Sequence, residues 1–470
     1  MPPRFSLQQQ RTIDRVKEQG HPYVLRWLGE LAEGELAGFL EQLAAVDFER
    51  VGEFARLIAG GGQGNRATCE DIEPAPVDRL PRTDAECTAE RHALGLGRKA
   101  LEDDRAAALV VAGGQGTRLG YNAPKGTYPI TPVRKKSLFQ VQAEKILSAR
   151  RRYGCRLPWL VMTSLANDAD TRAFFAQHDF FGLGRDSVHF FAQKNNPILG
   201  AGGRLLLEAK GRLLTGPDGH GGVFEALLAG GMLDVLESAG HDLISYFQVD
   251  NPLVPVADER FLGHHVGQGA DFSCKVVPKR DPSEGLGVAA LHGGSPVVVE
   301  YIDLPKEMAE QRGADGELRY LFGSIAVHVI GTAFARRMGE RGDALPWHVA
   351  RKKYAALDEA GEAAPGDCYK FERFVFDCLP HARACAFVEV DRADEFAPVK
   401  NAEGQDSPEC CRGMMKAQWL RWLTEAGMDV SALQAPDAQV EISPLVAANA
   451  AELKARLPQQ RRLSPPFVLD

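Results

Sequence analysis

Short apolar segments alternate with helix-like segments from residue 105 onward, and this alternation constrains the fold more than any other feature of the sequence. Between the first two apolar segments, SLFQVQAEKILSARRR has apolar residues at helical spacing. Strands separated by helices indicate βαβ units and a largely parallel sheet. We therefore predict an α/β fold with strands in AAALVVA (106–112), LPWLVMT (157–163), SVHFFAQ (187–193), LISYFQV (243–249) and FSCKVV (272–277).

The remaining segments extend this pattern. Residues 5–58 and 90–104 have apolar residues at helical intervals, which predicts helices. The stretch LGVAALHGGSPVVVEYIDL predicts a hairpin around its Gly-Gly pair, and SIAVHVIG and ACAFVEVDR predict strands. Helices are predicted for GGVFEALLAGGMLDVLESAG, LPWHVARKKYAAL, YKFERFVFDCL and most of the tail from about residue 411.

Composition excludes several functional classes. The 470 residues carry a net charge of -8, which argues against a general nucleic-acid or anionic-membrane binder. No run of about eighteen apolar residues occurs, and the first ten residues lack the apolar core of a signal peptide. The nine cysteines form no CxxC pair, so reduced thiols in a cytoplasmic protein are expected.

The glycine-rich stretch AGGQGTRLG (112–120) directly follows the first predicted strand. Gly113, Gly114 and Gly116 allow the backbone N–H groups to face an anion without an intervening Cβ. Arg118 and Lys125 add two cations suited to phosphate. The spacing fits neither GxGxxG nor GxxxxGK[ST], so local sequence leaves two alternatives, a phosphate-binding loop or a tight turn with surface cations.

A near copy, AGGGQGNRA (59–67), follows a helical segment instead of a strand. The end of a helix presents carbonyl groups, which have the wrong polarity for phosphate. We interpret this copy as a helix stop followed by a loop.

Asp250 follows the predicted strand LISYFQV and opens the sequence DNP. A carboxylate at the carboxyl end of a strand, close to bound phosphates, is a natural Mg²⁺ ligand. Taken alone, the Asp-Asn pair favours a helix cap or a turn.

The extended stretch LVVAGGQGTRLGYNAPKGTYPITPVRKKSLFQVQAEKI resembles the signature of the UDP-sugar pyrophosphorylases, particularly the eukaryotic-type UDP-N-acetylglucosamine pyrophosphorylases. Further matches follow in the family's order over roughly residues 100–425. They are FFAQKNNP, GPDGHGGVFEAL, YFQVDNPLVPVAD, VVVEY, LPWHVARKK, FERFVFD and DEFAPVKNAEGQDSP.

The resemblance implies a fold and a reaction. The implied fold is a Rossmann-like nucleotidyltransferase domain with a mixed central sheet, at 101–383, between a mainly helical N-terminal region (1–100) and a smaller C-terminal region (384–470). The implied reaction joins UTP and a sugar 1-phosphate, favouring N-acetylglucosamine 1-phosphate, to give a UDP-sugar and pyrophosphate with Mg²⁺. The expected protein is a monomer or homodimer without nucleic-acid or membrane partners.

The resemblance also assigns roles to individual residues. The implied catalytic residues are Arg118, Lys125 and Lys400, and the implied metal ligand is Asp250. The nucleotide is implied to contact Gly113, Gly114, Gln115, Gly116, Gln193 (which reads uracil) and Gly219. The sugar side is implied to include His220, Asn251, Glu300, Tyr301, Ser324, Phe374 and Phe376.

All departures from the family pattern fall on the implied sugar side. Where the family has PDGNGG, this chain has PDGHGG, with His220 in place of asparagine. Ser324 and Val327 stand where asparagines are expected, and EYID replaces the family's EYSE. Sugar discrimination depends on individual hydrogen bonds, so a glucose, galactose or N-acetylgalactosamine 1-phosphate enzyme stays open. A nucleotide-sugar-binding regulator without turnover is a second alternative, and the glycine spacing disfavours a dinucleotide-dependent oxidoreductase.

Overall fold

The computed structural model describes residues 5–61, 71–342, 344–457 and 463–470. The chain forms two compact units, each made of discontinuous segments. The smaller unit comprises Met1–Arg66, Lys194–Gly222 and Asp343–Asp377, and the larger unit comprises Ala67–Gln193, Val223–Gly342 and Cys378–Asp470. The three-region division at residues 100 and 383 stays a prediction.

Helices occur in both units. In chain order they are α1 Leu7–Glu18, α2 Glu33–Ala44, α3 Phe48–Ala59, α4 Asp84–Glu102, α5 Leu138–Tyr153, α6 Asp168–Gln177, α7 Val223–Ala229, α8 Met232–Ser238, α9 Glu259–Gly267, α10 Lys306–Ala309, α11 Thr332–Arg341, α12 Arg392–Glu395, α13 Pro408–Glu425 and α14 Ala450–Arg456. No helix within the described ranges has the length and apolar character needed to cross a membrane.

The strands form one large sheet and four two-stranded pairs among the described residues. In chain order they are β1 Ile72–Pro74, β2 Ala106–Val111, β3 Trp159–Ser164, β4 Val188–Gln193, β5 Asn195–Pro197, β6 Leu207–Ala209, β7 Arg212–Leu213, β8 Thr215–Pro217, β9 Leu243–Gln248, β10 Phe272–Pro278, β11 Val288–His292, β12 Ser295–Val299, β13 Phe322–Gly331, β14 His348–Leu357, β15 Ala363–Glu372, β16 Cys385–Glu389, β17 Val440–Ile442 and β18 Phe467–Leu469.

The large sheet belongs to the larger unit and contains parallel and antiparallel strands. Its main path is β1-β11-β13-β9-β2-β3-β4, while β12 pairs with β11, and β10 pairs with both β13 and β16. Strands β9, β2, β3 and β4 are mutually parallel neighbours, and β13 is antiparallel to β9. The predicted α/β class with a mixed central sheet is therefore confirmed, as are the five predicted strands and the hairpin β11–β12.

The smaller unit begins with the predicted N-terminal helices α1, α2 and α3. Ser6 starts α1 with a capping box, because its side chain accepts from Gln9 N–H and the Gln9 side chain accepts from Ser6 N–H. Helix α3 ends at Ala59 and is capped by Gly60, which agrees with the predicted helix stop. The loop predicted after it lies, from residue 62 to residue 67, outside the described residues.

One predicted helix is wrong and another is correct only in its second half. LPWHVARKKYAAL forms β14 of the hairpin β14–β15, paired from His348↔Glu372 to Leu357↔Ala363, and YKFERFVFDCL contributes its first four residues to β15, whereas Val375–His381 is a 3₁₀ helix. Arg, Lys and Ala favour helices, but Gly361 with φ +85° and Pro365 in the same segment do not. Packing overrides propensity here, because Phe371 of β15 stacks on Phe54 at 3.8 Å between ring centroids.

Two other predictions need smaller corrections. GGVFEALLAGGMLDVLESAG forms two helices, α7 and α8, because Gly231 has a φ of +69° and interrupts the helix. The tail contains α13 and α14 as predicted, but it also contains the parallel pair β17–β18.

Helices α4 and α9 of the larger unit cross at two glycines. A Cβ on Gly97 would lie 1.7 Å from the carbonyl oxygen of Glu259, and a Cβ on Gly263 would lie 1.7 Å from that of Ala93. The helix backbones therefore touch, and neither position tolerates a larger residue without separation of the helices.

We expect Gly97→Ala to lower the free energy of unfolding by at least about 2 kcal/mol, because the methyl group forces α4 and α9 apart. Gly95 is the matched control, since it lies on the same helix with no atom within 4 Å of a Cβ at that position. Gly95→Ala is expected to raise the free energy of unfolding by up to about 1 kcal/mol. Urea denaturation of both variants measures the difference, and equal effects would contradict the close packing.

Candidate active site

The order of the parallel strands creates a crevice at one edge of the large sheet. From β2 the chain proceeds to β3 and β4 on one side, whereas β9 pairs with β2 on the other side. In open α/β sheets, ligands bind outside the carboxyl ends of the strands at such a switch point. The glycine loop leaves β2 at this point, and Asp250 follows β9 beside it.

The glycine loop presents three successive unpaired N–H groups. In the described parts of the chain, the N–H groups of Gly113, Gly114 and Gln115 have no hydrogen-bond acceptor. The loop carbonyls, by contrast, are bound: those of Ala112 and Gly114 accept from the amide of Asn167, at 2.9 and 3.3 Å.

This arrangement orients the N–H groups. A carbonyl and the N–H of the next residue point in opposite directions in a trans peptide plane. Holding the carbonyls of Ala112 and Gly114 toward Asn167 therefore turns the N–H groups of Gly113 and Gln115 away from it. A run of such N–H groups forms an anion-binding concavity.

Gln193, at the end of β4, lies against the same loop. It is 5% exposed, and a Cβ on Gly113 would lie 2.6 Å from its Nε2 atom. Its side-chain amide has no hydrogen-bond partner among the residues described. Gly113 is thus needed for this approach, and the amide of Gln193 is available to a ligand in the crevice.

Lys125 and Asp250 form an ion pair in the crevice. Lys125 Nζ lies 3.4 Å from Asp250 Oδ2, and their side chains are only 16% and 17% exposed. The same ammonium donates to the carbonyl of Val399 at 3.3 Å, and Val399 N–H donates to the carbonyl of Asp250 at 2.9 Å. The structure thereby brings together three predicted regions: the PKG sequence, the end of β9, and the segment before Lys400.

The other two predicted catalytic cations have no carboxylate partner in the described chain. Arg118 is exposed in a single 3₁₀ turn, Thr117–Leu119, directly after the glycine loop. Lys400 is half-buried, with its ammonium 6.0 Å from the centroid of the Phe396 ring. Both are free to meet an anionic ligand.

Asn251 is buried, and its amide is engaged within the protein. It donates to the carbonyl of Glu395 at 2.7 Å and accepts from the N–H groups of Leu253 and Ala397 at 3.2 and 3.1 Å. It therefore fixes the segment that leads to Lys400 beside Asp250. Its predicted contact with the sugar stays a prediction.

Three predicted sugar-side residues meet at the ends of β11, β12 and β13. A Cβ on Gly287 would lie 3.2 Å from Glu300 Oε1, and the carbonyl of Gly287 accepts from Ser324 N–H at 2.8 Å. The Tyr301 ring, 49% exposed, flanks Gly285. Because β13 is antiparallel to β9, Ser324 lies at the same sheet edge as the carboxyl end of β9.

The smaller unit contains the remaining predicted residues in one cluster. Gly219 has a φ of +87° and a Cβ there would lie 2.5 Å from the carbonyl oxygen of Arg373, so the PDGHGG turn sits directly on the FERFVFD segment. His220 stacks on Phe374 at 5.2 Å and also contacts Phe376 at 5.8 Å, as distances between ring centroids.

His220 is held in one neutral tautomer. Its Nδ1 accepts from Val375 N–H at 3.1 Å, so the ring proton is on Nε2. Burial lowers the pKa of His220 to about 4, opposed by Glu372 and reinforced by His348. The imidazole therefore presents an N–H donor and no charge above about pH 5.

Several residues of these sites are not among the sequence-predicted ones. Asn167 starts α6, yet its side chain makes no cap hydrogen bond and contacts the glycine loop instead. Gln142 of α5 is fully buried and donates to the carbonyl of Val249 at 3.1 Å, just before Asp250. In the smaller unit, His348 stacks on Phe374 at 4.1 Å and pairs with Asp377 at 2.7 Å. Asn167 lies just after β3 and His348 begins β14, whereas Gln142 lies inside α5 and has no such signal in the sequence.

The sequence model of the UTP–glucose-1-phosphate uridylyltransferase family (UDPGP) matches residues 54–429. The chain belongs to this family. Among its relatives, UDP-N-acetylhexosamine pyrophosphorylase-like protein 1 of Mus musculus is 35% identical over 97% of this chain and 96% of the mouse protein. UDP-N-acetylglucosamine diphosphorylase 2 of Arabidopsis thaliana is 33% identical over 95% of this chain and 91% of the plant protein.

A solved structure shares the fold of this uridylyltransferase-family chain. The uridine diphosphate N-acetylglucosamine pyrophosphorylase of Trypanosoma brucei, crystallised with an inhibitor, superimposes with a TM-score of 0.80 at 30% identity, covering 96% of this chain and 95% of the trypanosomal chain. The family resemblance deduced from the glycine loop and the ordered motifs is thus confirmed.

We expect Asn167→Ala to weaken UTP binding by about tenfold or more, because the buried carbonyl of Ala112 loses its Asn167 donor, the carbonyl of Gly114 keeps only Lys125 N–H, and the glycine loop relaxes. Asn449→Ala is the control, since Asn449 caps α14 and does not contact the loop. Isothermal titration with UTP measures affinity, and thermal unfolding reports any general loss of stability. If both variants bind UTP equally well, Asn167 does not position the loop.

Proposed function

We propose that this chain is a UTP-dependent sugar-1-phosphate uridylyltransferase that forms UDP-N-acetylglucosamine and pyrophosphate. The observation that carries the proposal is the run of three N–H groups at Gly113, Gly114 and Gln115 without an acceptor in the described chain, beside the Lys125–Asp250 pair. This site holds a polyphosphate at the switch point of the sheet. Family membership supports a uridine nucleotide as substrate, and the names of the relatives support an N-acetylhexosamine as the sugar.

The reaction requires positioning and charge neutralisation instead of acid–base catalysis. A phosphate oxygen of the sugar 1-phosphate attacks the α-phosphorus of UTP, a new P–O bond forms, and the bond to the β-phosphate oxygen breaks as pyrophosphate leaves. The nucleophile is already ionised near neutral pH, so no residue must remove its proton. The protein's task is to align two polyanions.

The chain's own residues divide this task. The N–H groups of Gly113, Gly114 and Gln115 hold phosphate oxygens, and the amide of Gln193 can donate to and accept from the imide edge of uracil. Lys125, placed by Asp250 and Val399, neutralises the α-phosphate. Arg118 and Lys400 stabilise the departing pyrophosphate as it gains charge.

The donor set fits a magnesium ion. Mg²⁺ is commonly bound through one or two carboxylates together with substrate phosphates. Asp250 offers Oδ1, which has no partner in the described chain, while its Oδ2 faces Lys125. The described residues contain no group of three or more His, Cys, Asp or Glu side chains that could hold a metal alone, so the phosphates would complete the coordination. When bound, the ion would neutralise phosphate charge.

The identity of the sugar is less well supported than the transfer of the uridylyl group. His220 offers one N–H donor where the family pattern has an asparagine amide, and Ser324 replaces a second asparagine. UDP-glucose or another UDP-sugar as product is therefore the alternative. Cytoplasmic location and a monomeric or homodimeric state stay predictions from the sequence.

A pyrophosphate-release assay with Mg²⁺ tests this function by crossing UTP with the 1-phosphates of N-acetylglucosamine, N-acetylgalactosamine, glucose and galactose. We expect release that requires both substrates and is fastest with N-acetylglucosamine 1-phosphate. Faster release with glucose 1-phosphate would instead support the alternative product. No release with any sugar, combined with tight UTP binding, would indicate a regulator without turnover.

We expect Lys125→Ala to lower kcat by on the order of 10²–10³, because a preorganised charge at the reacting phosphate is lost. Lys99→Ala is the control, since Lys99 is exposed on α4 and pairs only with Asp103 at 2.8 Å. Steady-state kinetics of both variants measures the effect. An unchanged kcat for Lys125→Ala would show that Lys125 does not take part in catalysis.

A further inference from the structure

A second cavity lies in the larger unit, with a volume of about 330 Å³. It is partly open, and its walls are α5, α13, the segment 252–259 and the segment 441–449. None of the residues predicted for the nucleotide or sugar lines it. Cavities of at least about 300 Å³ can enclose a small organic molecule.

The walls are mostly apolar and contain three large aromatic side chains, Tyr153, Trp419 and Trp422. Aromatic rings offer large, rigid contact faces to a flat ligand. The volume and the aromatic lining thus favour a compact aromatic ligand.

One cation that lines this cavity has no counter-ion in the described chain. Among its basic residues, Lys136 pairs with Glu144 at 3.0 Å and Arg152 with Glu452 at 2.5 Å. Lys145 has no carboxylate within 4.0 Å in the described chain, and its ammonium donates only to the carbonyls of Pro252 and Val254, at 2.5 and 2.8 Å. An ammonium has three N–H groups, so one is left for a ligand.

The carboxylates that line the cavity are already engaged. Asp258 pairs with Lys275 at 2.5 Å, Glu259 with Arg98 at 3.2 Å and Asp394 with Arg421 at 2.5 Å. Glu441 accepts from the N–H groups of Val133 and Arg134, at 2.8 Å each. Among the described residues Glu441 thus has only backbone donors, whereas the unpaired charge at Lys145 is positive, and an anionic group beside this ammonium complements it.

We propose that this cavity is a regulatory site for a small aromatic carboxylate whose anionic group binds the ammonium of Lys145. The same ammonium holds the backbone at Pro252 and Val254, two and four residues after Asp250. A carboxylate bound to the third N–H draws the ammonium away from these carbonyls and loosens the segment that places Asp250. Occupancy of the site therefore lowers activity, a consequence that rests on the proposed uridylyltransferase function.

The titration of Lys145 gives the site a pH dependence. Burial lowers the pKa of Lys145 to about 7, with Glu395 and Cys411 opposing this shift and Lys275 adding to it. The ammonium is present below pH 7 and is lost above it in the free protein. A carboxylate stabilises the ammonium, so above pH 7 binding must take up a proton and its affinity falls.

The test uses 2-naphthoate as the probe, with neutral 2-naphthamide as its matched control, and follows binding to the full chain by isothermal titration. We expect saturable binding of 2-naphthoate with an affinity about 10–30-fold lower at pH 8.5 than at pH 6. We expect 2-naphthamide to bind weakly and without this dependence. Equal affinities for the two compounds, or no saturable binding of 2-naphthoate, would overturn the proposal.

Three variants test whether 2-naphthoate binds in this cavity. Lys145→Met is expected to weaken 2-naphthoate binding at least about tenfold. Lys416→Met is the matched control, because Lys416 is half-buried on α13, does not line the cavity, and also donates to a backbone carbonyl, that of Ala435 at 2.6 Å. Ala448 is exposed at the edge of the cavity, so Ala448→Trp tests occlusion with Lys145 intact and is expected to weaken binding as well. Unchanged binding in both Lys145→Met and Ala448→Trp would place the probe elsewhere.

Inhibition of pyrophosphate release is measured in parallel. We expect 2-naphthoate to lower kcat with little change in the KM for UTP, and the inhibition to disappear in Lys145→Met and persist in Lys416→Met. Because binding is measured without substrates, an inactive enzyme that still binds 2-naphthoate would contradict the proposed function and leave the cavity site intact. Binding without inhibition would show that the site is not regulatory.

Discussion

The parallel pairing of β2 with β9 is the constraint on which the active site depends. The two strands are in register from Ala106↔Leu243 to Val111↔Gln248, and Val249 N–H extends the ladder to the carbonyl of Val111. The glycine loop and Asp250 therefore leave the sheet at the same level. Strand β2 is buried along its whole length, so a slip by one residue would reverse the faces of all its side chains. The core thus fixes the distance between the loop and the carboxylate.

Uncharged amides fix the loops of this site, which leaves its cations available for ligands. Asn167 holds the glycine loop, Gln142 holds Val249, and Asn251 holds the segment that precedes Lys400. A side-chain amide can satisfy both a carbonyl and an N–H without introducing charge. Carboxylates in these positions would neutralise part of the positive field that attracts two polyanionic substrates. Asp250 is the exception, and its charge is the one that we propose to hold the magnesium ion.

The sequence was most informative where local pattern and tertiary structure agree. The run AAALVV is apolar throughout and LISYFQ is mostly apolar, because both faces of a central parallel strand are buried, and the two runs predict β2 and β9 correctly. The hairpin β14–β15 was missed because Arg351, Lys352 and Lys353 are good helix formers, whereas the pairing partners lie up to 24 residues away, as in His348↔Glu372.

The candidate site also depends on contacts between residues that are far apart in the sequence. Lys125 and Asp250 could be singled out from their places in motifs, but their 3.4 Å contact joins residues 125 positions apart. Asn167 could not be singled out, since an asparagine before a helix is ordinarily a cap. Its contact with the loop after β2 follows only from the adjacency of β2 and β3 in the sheet. Long-range strand order was therefore the missing information in each case.

Two charged anchors of unequal strength hold the chain that follows Asp250. At the far end, the buried ammonium of Lys275 lies 2.5 Å from both Asp258 and Glu395, and Asp258 also caps α9. Removing one member of such a buried set costs roughly 3–5 kcal/mol, so this end resists displacement. At the near end, the single ammonium of Lys145 holds two neutral carbonyls and lines a cavity. Hydrogen bonds to neutral acceptors yield more easily to an anion than a buried ion pair does. The segment is therefore adjustable at the end next to Asp250, which is where a change in position alters catalysis most.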